Sequence, residues 1–228
     1  MLQFDPQILA DFPTLRAGVL VAEGVVNGPT PAGLIERYSE EQAATKSRLG
    51  ETPLADLPSI AAWRRAFRRF GAEPTQYRNA AEALLRRLTK QGDVPSINAL
   101  VDMGNLVSIR RALPVAVFDL DGIDGGITVR YAEGTEPYSD LGSSETTHPE
   151  PGEVVFVDGR SRVHARRWCW RQSSQSATGP TTQRVLVVVE GLHDNALSDV
   201  AAALADLEDL FTEYQPRAEI SARRLVEA

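Results

Sequence analysis

The sequence predicts an α+β fold: an N-terminal helical portion packed on a mostly antiparallel sheet, with a closing C-terminal helix. Three observations lead there. Stretches with helical apolar spacing and helix start or stop residues fill positions 30–112. Short β-branched segments separated by turn residues fill 115–192, and an amphipathic segment follows them. Helices and strands are thus segregated along the chain rather than alternating, which separates α+β from α/β.

Taken in order, "LRAGVLVAEGVV" (15–26) reads as a strand bounded by Gly and Pro. "TPAGLIERYSEEQAATKSRLG" reads as a helix with Thr30 as cap and Pro31 at its first position. "SIAAWRRAFRRFG" is a second helix, capped by Ser59 and stopped by Gly71, and "YRNAAEALLRRLTKQG" a third that also stops at glycine. A fourth starts near Pro95. Strands are expected at "VAVFD", "ITVRYA", "EVVFVD", "VHARRWCW" and "RVLVVVEGL", with "DGIDGG" and "GSSETTHPEPGE" as connections. From Asn195 to about Gln215, Leu197, Val200, Leu204, Leu207 and Phe211 mark one side of a helix.

The 228 residues suffice for a substantial core in one domain or two small ones; a single domain over 1–228 is the expectation. No apolar run approaches the roughly 18 residues that a membrane span requires, and "MLQFDPQILADFP" is acidic where a signal peptide is basic. A single cysteine, Cys169, forbids an internal disulfide, and no Cys/His grouping has zinc-ligand spacing. A cytoplasmic protein with no metal and no cofactor is expected, as a monomer. The net charge of −7 argues against indiscriminate coating of nucleic acid. Its distribution is polar, however. Residues 61–112 carry ten Lys/Arg against four acids, "GRSRVHARRWCWRQ" has five arginines and no acid, and 133–153 has six acids and no Lys or Arg. Such polarity either aims a phosphate-bearing ligand at one face or decorates solvated helix surfaces.

No G-x-S-x-G elbow, P-loop or H-E-x-x-H occurs, and His148, His164 and His193 are scattered. Two features remain. In "INALVDMGNLVSIRR" the helix is apolar on nearly every side, yet Asn98, Asp102 and Asn105 stack in one stripe at i, i+4 and i+7. An unpartnered buried polar group costs about 1–3 kcal/mol, so the stripe either lines a wet pocket or ties the helix to the loops at Leu113–Pro114 and Asp119–Gly126. In "RRWCWRQ", strand alternation places Trp168 and Trp170 on one face and Arg167 and Arg171 on the other. The tryptophans are then either core or a stacking wall for a base or aminoacyl group. Glu190, beyond Leu186 and Val188 on the same side of the last strand, stands at an exposed strand end or points into a cavity.

"INALVDMGNLVSIRRALPVAVFDLDGIDGGITVR" resembles the editing and tRNA-binding domain of the phenylalanyl-tRNA synthetase beta subunit, where an Asn-x-x-V-D-x-x-N helix runs into a Pro and an "FDLD" strand. The match is densest over Pro95–Tyr131 and continues more weakly from Trp63 to Leu192. "WRRAF", "EALLRR" and "RRWCWRQ" resemble the free-standing relatives of that domain still more. Nothing resembles the synthetase catalytic core.

The resemblance implies a trans-acting deacylase that hydrolyses the ester of a mischarged tRNA, a second sieve needed because one methylene discriminates by only about 1–3 kcal/mol. It implies Asn98, Asp102, Asn105 and Glu190 as catalytic residues, Ser108, Asp119, Trp168 and Trp170 as substrate-binding, and Arg110, Arg130, Arg167 and Arg171 as tRNA-binding. The partner implied is a tRNA acceptor end carrying a wrong amino acid. Two departures qualify it. The family's His two residues after the Pro is Ala116 here, and its editing Glu falls on Val188, with Glu190 two residues on. Both tyrosine-recognising groups are lost or moved, so either the aminoacyl group is not tyrosyl or the site only binds. A non-catalytic tRNA- or RNA-binding module and a small-molecule amino-acid ester hydrolase are the alternatives.

Overall fold

A computed structural model describes residues 2–143 and 145–227. Its architecture is α+β, built on two sheets that share a face. In the first sheet, β2 (Arg16–Glu23), β3 (Val115–Asp119), β10 (Arg184–Gly191) and β11 (Glu219–Glu227) run antiparallel in the order β11-β2-β10-β3. The second orders β1 (Leu2–Phe4), β4 (Ile127–Tyr131), β7 (Val154–Val157), β8 (Val163–Arg166) and β9 (Arg171–Gln172) as β1-β4-β7-β8-β9, with only the β1–β4 pair parallel. A small hairpin joins β5 (Tyr138–Ser139) to β6 (Thr146–Thr147).

The strand β10 is buried along nearly its whole length because both its faces are covered. Val185, Val187 and Val189 pack with Leu106, Leu204 and Phe211 of the helices on one side. Leu186 and Val188 pack with Phe118, Phe156 and Trp168 between the sheets on the other. A strand buried on both faces must be apolar at every position, which is why "VLVVV" shows no alternation.

The helices are α1 (Pro6–Asp11), α2 (Ala32–Leu49), α3 (Pro58–Arg69), α4 (Ala80–Gln91), α5 (Ala99–Arg111) and α6 (Ala196–Tyr214). Packed among α2, α4, α6 and β3, the apolar α5 has no solvent face wide enough to be polar. Gly104 lets it approach the sheet: a Cβ there would meet Val117 Cγ2 at 3.0 Å. Gly18 does the same for α6 against β2, where a Cβ would lie 2.8 Å from both Val200 Cγ1 and Leu204 Cγ.

Several expected details change. Thr30 does not cap α2; Pro31 holds that place without a side-chain bond, and Thr30 donates its hydroxyl to Asp102 instead. Leu57, not Ser59, precedes α3, and Ser59 lies buried in its first turn. In α4 the cap is Asn79, whose side chain accepts from the Glu82 amide at 3.0 Å. The expected strand 163–170 ends at Arg166, and 167–170 form a tight turn. β1, α1 and β11 carry patterns too short or too charged to stand out in the sequence.

Gly18→Val is expected to destabilise the chain by about 1–3 kcal/mol through overpacking against α6. A lower urea midpoint at unchanged slope is the readout.

Candidate functional site

The polar stripe of α5 is brought to the loops and α2, not to a cavity between the sheets. Asn98 caps α5: its Oδ1 accepts from the Val101 amide at 3.0 Å, and its amide group donates to Thr178 Oγ1 at 3.4 Å. Asp102 is fully buried and accepts from Thr30 Oγ1 at 2.6 Å, from the Ile97 amide at 2.9 Å and from the Ser96 hydroxyl. Three donors surround its carboxyl oxygens, so the buried group is satisfied. Half-buried Asn105 lies beside Tyr38 on α2, whose hydroxyl is buried; burial, with the Asp102 charge adding, raises that phenol. Ser108 donates to the Leu113 carbonyl at 2.7 Å, closing the turn where Ala112 takes φ 52°. Asp119 accepts from the Asp121 amide at 2.9 Å and from Thr182 Oγ1 at 2.5 Å.

All four expected tRNA-binding arginines are engaged by acids, Arg167 by Glu153 and Arg171 by Asp140, each at 2.7 Å, and the other two lie away from the cavity. Arg110 lies 2.7 Å from Glu41 and 3.2 Å from Asp206, and Arg130 lies 2.6 Å from buried Glu136. The resemblance implied both; the Arg110 partners lie 69 and 96 residues away in the chain, beyond any local pattern, whereas Glu136 is six residues from Arg130.

The cavity lies where β3 and β10 face the second sheet. Ala116 and Val188 stand directly opposite one another across the β3–β10 ladder. They form one wall, with Glu190 beyond Val188; Phe156 and Ala165 form the opposite wall, and Trp170, Arg171 and Gln172 the rim. Its volume is about 80 Å³. Glu190 is 3% exposed, and its Oε1 accepts from Trp168 Nε1 at 2.9 Å. Burial pushes its carboxyl up to about 7, against the indole bond, which pulls it down. A carboxyl that changes charge near neutrality, alone at the end of an apolar pocket, can hold or release a proton for a bound molecule.

The turn 167–170 builds this corner. Arg167 and Trp168 take φ 45° and 59°, a left-handed pair of non-glycine residues. Bonds from the Trp168 amide to the Val154 carbonyl (2.6 Å) and from the Ala80 amide to the Cys169 carbonyl (2.8 Å) hold it, with an Arg167–Glu153 pair at 2.7 Å. The turn overrides strand alternation, so the two tryptophans do not share a face. Trp168 is fully buried, edge-on to Phe12 and Trp63 at 4.9 and 5.1 Å. Trp170 is half-buried against Tyr77, with the Arg167 and Arg171 guanidinium groups over its ring at 4.8 and 4.9 Å. Gln172 escaped the sequence reading; its amide donates to the Val117 and Ser176 carbonyls at 3.0 and 2.8 Å, and no local motif marks it.

Residues 62–217 match the family model described as the B3/4 domain. The chain belongs to the B3/4 domain family. It is 37% identical over 76 residues to the phenylalanine–tRNA ligase beta subunit of Chromobacterium violaceum, covering 33% of this chain and 10% of that protein. The Burkholderia lata beta subunit is 38% identical over 77 residues, 34% of this chain and 9% of that one. Of these curated relatives this B3/4 chain therefore spans about a tenth. Its fold is similar to that of an N-terminal fragment of the phenylalanyl-tRNA synthetase beta subunit from Pyrococcus horikoshii. The TM-score is 0.50 at 12% identity, over 99% of this chain and 50% of that one. Among the described residues no cluster of three or more His, Cys, Asp or Glu could hold a metal ion, and no helix is long and apolar enough to cross a membrane.

Asp102→Ala is expected to lower stability by about 1–3 kcal/mol, because it strands buried donors from two loops; thermal unfolding checks it. Glu190 makes stability depend on pH in the opposite sense to an ion-paired carboxylate. Its proton is held more tightly in the folded state, so its contribution is complete below the unfolded value of 4.5 and is lost as pH rises through about 7. That loss amounts to about 3 kcal/mol. Urea unfolding from acid to mildly alkaline pH should show the decline in the wild type and not in Glu190→Gln.

Proposed function

We propose that this B3/4 chain is an aminoacyl-tRNA deacylase, acting in trans in the cytoplasm on the ester of a mischarged tRNA. The observation that carries the reading is the buried Glu190 carboxyl, poised near neutral pH at the end of the small pocket between the sheets. Family membership supports it, since the relatives named above are subunits of a tRNA ligase.

The chemistry needs one proton carrier. As carboxylate, Glu190 accepts a proton from a water whose oxygen attacks the ester carbonyl carbon. The tetrahedral intermediate then breaks its bond to the ribose oxygen, which leaves with the proton returned by Glu190. The Trp168 indole holds Oε1, leaving Oε2 for the proton. Ala116 and Val188 offer no polar partner for a phenol, and a volume near 80 Å³ favours a small aliphatic aminoacyl group over a tyrosyl one. Asn98, Asp102 and Asn105 act in this scheme by fixing α5 beneath the sheet rather than by touching substrate.

A small-molecule amino-acid ester hydrolase is the second reading, favoured by the net charge of −7 and by the ion pairs that occupy Arg110 and Arg130.

Deacylation of a panel of mischarged aminoacyl-tRNAs tests the proposal. The wild type should release one or two small aminoacyl groups, with kcat/KM rising with pH to a plateau above about 7, because the base form of Glu190 is the active one. Glu190→Gln should lower kcat/KM by about 10²–10⁴-fold with the fold intact. No release from any pair, or full activity in Glu190→Gln, would sink the reading. Hydrolysis of simple amino-acid esters but not of charged tRNA would favour the second.

A further inference from the structure

Most arginines on this chain are matched to an acid, as expected of an acidic protein whose surface cations are balanced locally. Among the described residues the exceptions include Arg65 and Arg68 on α3, but the largest group of them lies together on α4. Arg86, Arg87 and Lys90 on α4 are exposed and have no ion-pair partner among the described residues. They succeed one another on one side of the helix, Arg86 and Arg87 lying four and three residues before Lys90, beside Ala83, whose methyl group leaves the surface open. With Arg78, Trp170 and Arg171 they line a groove of about 560 Å³ that contains no acidic side chain.

The groove is not isolated. Trp170 and Arg171 belong both to it and to the rim of the Glu190 cavity. Ala80, the first residue of α4, lines the cavity, so the helix leads outward from the cavity through the cationic column over about 15 Å. Half-buried Trp170 stands at the junction, its ring held by Tyr77 and two guanidinium groups. Three uncompensated cations in a row, then an aromatic face, then a pocket: that sequence of chemistries matches a polyanionic strand with planar bases that ends in the pocket.

We propose that the α4 groove is a phosphate track for the single-stranded 3′ end of an RNA, with Arg86, Arg87 and Lys90 on the phosphates and Trp170 stacking a base at the cavity mouth. Delivery of the terminal ester to Glu190 rests on the deacylase reading; the track itself does not.

The test is binding of dye-labelled tRNA to the full chain by fluorescence anisotropy across a salt series. The proteins compared are wild type, the combined variant Arg86→Gln/Arg87→Gln/Lys90→Gln, and Glu190→Gln. Loss of three phosphate contacts should weaken binding at least about tenfold and make the slope of log affinity against log salt shallower by about 2, the value for a single strand. Glu190→Gln should bind as the wild type does. Trp168 also lines the cavity, so a change in tryptophan emission on binding reports Trp170 only where Trp170→Phe removes it. Equal affinity and slope in the combined variant would overturn the track, as would absence of tRNA binding in the wild type. Binding of a poly-aspartate of matched charge as tight as that of RNA would overturn it in favour of an acidic peptide. Binding that needs the three cations, without deacylation of any mischarged tRNA, would support the track while removing the deacylase reading.

Discussion

The rest of the molecule depends on β10 being dry on both faces. One strand cannot bury two faces without two covering layers, so helices must close one side and a second sheet the other. That requirement sets the order of layers, places α5 under the sheet, and leaves the inner face of β3 and β10 looking into the gap between sheets. Glu190 is the exception along this strand. An ionisable group where every neighbour is apolar is forced towards its neutral form, and the Trp168 indole is the single partner that limits the shift. The strand's dryness therefore creates the site's chemistry as well as the fold.

The two polar systems of the chain follow opposite logics. Asp102 is saturated with donors and keeps its place; removing its carboxyl group would strand several loop groups at once. Glu190 has one donor and a free oxygen facing a cavity. The first arrangement gives rigidity and the second gives reactivity; the other buried acids among the described residues, Glu41, Glu82, Glu136, Glu153 and Asp158, each pair with an arginine.

Much of the fold was legible in the sequence because periodicity and helix stops are local signals. The four long helices through α5, the strands β2, β3, β4, β7 and β10, and α6 lie where apolar spacing placed them, within a few residues. β11 was illegible: "EISARRLVE" pairs along the edge of the first sheet with a charged, bulged strand that carries no burial pattern. At the site, Glu190 stood out in the strand pattern and Val188 and Ala116 through the family resemblance, but the meeting of Val188 and Ala116 across a ladder could not be read. The polar stripe was visible while its destination was not, because Thr30 and Ser96 reach Asp102 from loops whose course no periodicity describes. The reversal at Arg167 and Trp168 was invisible for a different reason: no glycine announces the left-handed pair, which long-range bonds to Val154 and Glu153 impose.

That reversal has a mechanical consequence. Within four residues the chain places one indole on the interior carboxyl and the next on the outer surface, with backbone dihedrals already at the edge of what side chains tolerate. Held by the bonds from the Trp168 amide to Val154 and from the Ala80 amide to Cys169, the turn keeps the two rings at a set spacing, the inner one on the carboxyl and the outer one at the cavity mouth. Contact outside and acidity inside are joined by a single peptide corner.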